Sequence, residues 1–126
     1  MQPHEEWLFK AEHDLKSAEI LFGALEPMLD IAIYHTQQCA EKALKAYLVS
    51  TGQPVDKTHN LALLVERCEI MDKHFNDVIE EALFLRPFAT LYRYPEGDLE
   101  PSKPEVASAI VASKKILDLV SELLRS

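Results

Sequence analysis

The chain is short of basic residues, short of glycine and free of long apolar runs, and each shortage removes a class of function. Lys and Arg number 13 against 21 Asp and Glu, a formal net charge of −8. Indiscriminate binding to DNA or to an anionic membrane needs a basic surface, so both are excluded. The three glycines, at 23, 52 and 97, form no GxxxxGK loop that would cradle a phosphate chain. No stretch approaches the roughly 18 apolar residues of a membrane helix, and MQPHEEWLFK lacks the basic and apolar regions of an export signal. The expectation is a soluble, cytoplasmic protein. The two cysteines, Cys39 and Cys68, have apolar neighbours and no CxxC or Cys/His spacing, the pattern of reduced, buried thiols. Five histidines form no Glu-x-x-His pair, and Glu12, His13 and Asp14 point in different directions on a helix. Neither a metal nor a cofactor is expected, and no GxSxG motif offers a nucleophile.

What is present is helical periodicity. A chain of 126 residues, 48% hydrophobic and 27% charged, suits one domain spanning residues 1–126 with one core. Leu8, Ala11, Leu15, Ala18, Phe22 and Leu25 recur at spacings of three and four, predicting a first helix over residues 4–25. Its acids Glu5, Glu6, Glu12, Asp14 and Glu19 read as a solvated face. A second helix over residues 29–50 stops at Gly52 and Pro54, and Thr58 or Asn60 can cap a short third helix. A fourth begins near Phe75 and is interrupted at Pro87. RYPEGDLEP is a loop, and Ser102 with Glu105 forms a capping box for the last helix. No segment alternates with period two. The fold class is therefore all-α: an antiparallel up-and-down four-helix bundle with an additional short helix.

The second helix, LDIAIYHTQQCAEKALKAYLVS, has no ordinary solvent face. Leu29, Ala32, Thr36, Ala40, Ala43 and Tyr47 form one stripe suited to a core. Roughly 140° away lies a second stripe, His35, Gln38, Lys42 and Lys45, bracketed by Ile31 and Val49. Net charge over residues 1–29, 30–59, 60–100 and 101–126 is −4, 0, −5 and +1, so an anionic ligand would meet least repulsion near this helix. Two readings of the stripe stand. Lys42 and Lys45 can pair with the acidic first and fourth helices while His35 and Gln38 satisfy hydrogen bonds at a packed interface. Alternatively the stripe is a polar cleft for phosphate or base, completed from loops by His59 and Arg93, with Tyr92 and Tyr94 for stacking.

Three segments in order, AIYHTQQCAEKALKAYL, KTHNL and LYRYP, together with the opening WLFKAEHDLKSAEIL, resemble the HEPN domain family over nearly the whole chain. The resemblance implies a helical bundle of four to five helices, a prokaryotic setting, homodimerisation and a minimal nucleotidyltransferase partner in a toxin–antitoxin-like pair. It also implies one of two activities, ribonuclease or nucleotide binding. The ribonuclease branch carries an Arg and a His separated by four to six residues. Here Arg93 is followed by Tyr94, Pro95, Glu96, Gly97, Asp98 and Leu99, with no histidine in reach; Arg67 and His74 match the spacing away from the usual place. The chain looks most like the branch that binds nucleotide or RNA without cutting it, with His35, Gln38, Lys42, Lys45, His59, Arg93 and Tyr94 as candidate contacts and no catalytic residue. A metal-independent ribonuclease toxin and a purely structural partner subunit are the alternatives.

Overall fold

The computed structural model describes residues 1–125. Five α-helices are joined by loops and two short 3-10 turns, with no strand among the described residues: α1 (Pro3–Phe22), α2 (Leu29–Ser50), α3 (Leu61–Met71), α4 (Ile79–Leu85) and α5 (Lys103–Arg125). The all-α bundle read from periodicity is the observed fold.

The ends of the helices follow local chemistry. Glu5 Oε1 accepts a bond from the Gln2 backbone N–H at 2.8 Å, holding the start of α1. Gly52, at φ +87°, closes α2, and the Gln53 N–H reaches back to the Leu48 carbonyl at 3.2 Å. Asn60 Oδ1 accepts from the N–H groups of Ala62 and Leu63 and caps α3. At α5 only half of the expected capping box forms: Ser102 Oγ accepts from the Glu105 N–H at 3.2 Å. The Glu105 carboxylate instead accepts from the Tyr92 hydroxyl at 3.0 Å.

Two boundaries differ from the periodic reading. The first helix ends at Phe22, and Leu25 stands fully exposed in the turn beyond it. The expected long fourth helix is divided into a 3-10 turn (Lys73–Val78), α4, and a second 3-10 turn (Arg86–Ala89). Pro87 lacks the N–H that would continue the helical ladder, so the expected interruption falls there and begins the second turn; the first turn, before Ile79, is the difference.

Helix α2 is the axis of the fold. It packs against α1, α5, α3 and α4, and only Ile31 and Ser50 along its 22 residues are exposed. Small side chains make this possible: Ala32, Ala40, Ala43 and Ala46 are fully buried and let neighbouring backbones approach. Phe75, Ile33, Leu44, Leu61, Leu64 and Leu85 fill the remaining space without exposure. Each contributes roughly 1.5–3 kcal/mol through burial.

A polar belt on the second helix

The antiparallel passage of α1 over α2 sets the register of the candidate site. Asp14, taken from sequence as part of a solvated face, is buried and points at α2. Its Oδ1 meets His35 Nδ1 at 2.8 Å and its Oδ2 meets Lys42 Nζ at 2.7 Å. One carboxylate thus joins two members of the predicted stripe. With Nδ1 engaged by Asp14, the other ring nitrogen of His35, Nε2, has no partner among the described residues. A neutral ring that donates Nδ1–H to Asp14 presents an Nε2 lone pair, and a protonated ring presents a donor there.

A second polar group lies further round the helix. Gln37, Glu41 and Lys45 stand at successive i, i+4 positions and all are buried. Lys45 Nζ donates to Glu41 Oε2 at 3.1 Å, and Gln37 Nε2 donates to Glu41 Oε1 at 3.2 Å. The ring of His59, exposed in the loop after α2, reaches both Glu41 oxygens at 3.1 Å, and the His59 carbonyl accepts from Gln37 Nε2 at 3.3 Å. Lys45 also lies 5.7 Å from the Trp7 ring centroid on α1. Gln38 adds to this group by donating to Gln37 Oε1 at 2.7 Å.

Arg93 arrives from the loop after the second 3-10 turn. Tyr92 immediately before it takes φ +68°, a left-handed conformation uncommon for a bulky side chain. The hydroxyl bond to Glu105 and a stacked contact with Phe88 at 6.3 Å hold it there. The Arg93 guanidinium then lies 4.3 Å over the ring of Tyr34, whose edge meets the His35 ring at 5.9 Å. The Arg93 guanidinium is exposed and has no hydrogen bond or ion pair among the described residues, whereas its backbone N–H donates to the Thr90 carbonyl at 3.2 Å.

The structure therefore brings His35, Lys42 and Arg93 into one connected surface through Tyr34 and Asp14. Gln38, Lys45 and His59 belong to the Glu41 group instead, and Lys45 pairs within its own helix. Tyr94 is 63% exposed and lines a separate hollow with Pro87, Leu91 and Tyr92. Arg67 pairs with Asp56, and His74 Nδ1 lies 2.8 Å from Asp72, so each has its own carboxylate. No group of three or more metal-ligating side chains occurs among the described residues.

Four participants escaped the sequence reading. Asp14 stands three residues after Ala11 and four before Ala18, the spacing of the buried seam rather than of the acidic face. Gln37 and Glu41 carry the i, i+4, i+8 signature of a ladder ending at Lys45. Tyr34 had no local signal, because its partner comes from a loop 59 positions on in the chain.

Both thiols are free and buried. Burial is the main cause holding the Cys39 thiol far above its usual range, and the negative charge of Asp14 adds to it. Burial alone pushes the Cys68 thiol up to about 12. A raised value means almost no thiolate at pH 8. The native protein should leave Ellman's reagent uncoloured at that pH and react at both cysteines once denatured; colour from native protein would mean that α2 or α3 opens locally.

The HEPN domain family matches residues 4–123 of this chain. The chain belongs to the HEPN family. Two solved structures share the fold of this HEPN chain at similar length. TT1696 from Thermus thermophilus is 26% identical with a TM-score of 0.78, covering 97% of this chain and 98% of its own. ST0689, described as an archaeal HEPN homologue, is 25% identical with a TM-score of 0.75, covering 98% of both chains. A protein of Methanocaldococcus jannaschii named "Putative toxin MJ1304" is 26% identical over 132 residues, which span 92% of this HEPN chain and 84% of the relative.

Proposed function

We propose that this HEPN domain is a non-catalytic, homodimeric module that binds a nucleotide or RNA phosphate on the α2 surface. We further propose that it works in a toxin–antitoxin-like pair with a minimal nucleotidyltransferase. The observation that carries the binding reading is Arg93: it rests on Tyr34, whose ring also meets His35, and it lacks a carboxylate partner. An aromatic face beneath a guanidinium leaves the other guanidinium face free for a base and its N–H edge free for phosphate. Lys42 is already neutralised by Asp14, so Arg93 supplies the uncompensated charge. The toxin name of the archaeal relative supports the paired arrangement, and the lack of a histidine after Arg93 supports binding without cleavage.

Calorimetric titration with ATP, GTP and a short single-stranded RNA tests this reading. At least one should bind, more weakly to Arg93→Ala; silence from all three, or an Arg93→Ala variant indistinguishable from wild type, overturns the site. Sedimentation should show a dimer at micromolar concentration, and a monomer there overturns the assembly. Copurification with a coexpressed nucleotidyltransferase checks the partner.

A further inference from the structure

Outside the α2 surface, exposed apolar side chains flank a groove between α4 and α5. Phe84 on α4 is 37% exposed, and Val111 on α5 is 69% exposed. Two adjoining hollows of ≈ 480 and ≈ 320 Å³ share Val111 and Lys115. On α5 the lining residues follow one helical stripe, Val111, Lys114, Lys115, Asp118, Leu119 and Glu122. None of the nucleotide-site candidates lines either hollow.

The charges around the groove are lopsided. Asp77, Glu80, Glu81 and Asp118 line it, with Lys114 and Lys115 as the cations among the described lining residues. Both lysines are already engaged: Lys114 with Asp118 at 3.2 Å and Lys115 with Glu81 at 3.2 Å. Asp77 and Glu80 have no cationic partner among the described residues. A second copy is a poor occupant, because a two-fold contact sets the same acidic patch against itself and like charges across an interface repel. Apolar anchors at helical spacing with a cationic flank match the groove in both shape and sign.

We propose that the α4/α5 groove is a docking surface for a basic amphipathic helix of a partner protein. Apolar side chains of that helix seat against Phe84, Val111 and Leu119, and its Lys or Arg residues meet Asp77 and Glu80. The surface is independent of the nucleotide site, so each can fail without the other.

The test is fluorescence anisotropy of a labelled helical peptide of Leu and Lys, about 14 residues or four turns long, with a Leu/Glu peptide of the same pattern as control. The full chain should bind the Leu/Lys peptide and ignore the other. Asp77→Lys with Glu80→Lys should weaken binding by about tenfold, and Val111→Asp by at least as much, since both remove groove contacts. Glu6→Lys with Glu19→Lys on α1 applies the same charge change elsewhere and should alter binding less than about twofold. No peptide binding, equal binding by the groove variants, or an equal loss in the α1 variant overturns the proposal. So does a Val111→Asp protein that sediments as a monomer where wild type is a dimer, because the groove is then an interface between copies.

Discussion

Glu41→Ala is expected to destabilise the protein by about 3–5 kcal/mol, the cost of leaving a buried charge without its partner. The side chains of Glu41 and Lys45 are only 4% and 5% exposed. Without the carboxylate, Lys45 keeps only the Trp7 ring, and Gln37 and His59 lose their shared acceptor. A loss of this size should lower the melting temperature on the order of 10 °C. The double variant Glu41→Leu with Lys45→Met should recover most of it, because apolar replacement of a whole buried pair is often neutral or stabilising. Urea unfolding of the two proteins checks this. A single variant that costs under about 1 kcal/mol would mean that the ladder is solvated on opening and contributes little.

Arg93→Ala should behave in the opposite way. The side chain is exposed and has no ion pair to lose, so stability should stay within about 0.5 kcal/mol of wild type. Binding of whichever nucleotide or RNA the wild type retains should fall by about tenfold or more, the loss expected for a charge-assisted phosphate contact. Arg93→Lys separates charge from geometry. Lysine keeps the positive charge but cannot stack flat on Tyr34 or bind in two-pronged fashion, so it should recover only part of the loss. Full recovery by lysine would reduce Arg93 to a point charge; undiminished binding in Arg93→Ala would place the ligand elsewhere.

These two residues mark how far the chain could be read without its fold. Helix periodicity was legible because burial of an apolar stripe is local in sequence: residues three and four apart share a face whatever packs on it. The same rule exposed the unusual character of α2, whose small and apolar residues left no solvated side. It misplaced Asp14 and stretched the fourth helix. An acid on a helix is solvated or buried according to what faces it, and His35 and Lys42 stand 21 and 28 positions away. The stripe His35, Gln38, Lys42 and Lys45 was a correct set of neighbours on the wheel. Its division into an open group and a sealed group was not visible, since every member has the same helical phase to within a quarter turn.

By itself the sequence determined the all-α class, the central position of α2 and the absence of a histidine within reach of Arg93, because these rest on composition, periodicity and order along one chain. Only the tertiary structure decided which polar residues are already satisfied. Asp14 occupies Lys42 and one nitrogen of His35, Glu41 occupies Lys45 and His59, and Arg93 alone of the predicted cations is left with its guanidinium open. Partnership between charges separated by tens of residues depends on distances that helix packing sets, and a buried charge must find its partner or raise the free energy of the fold.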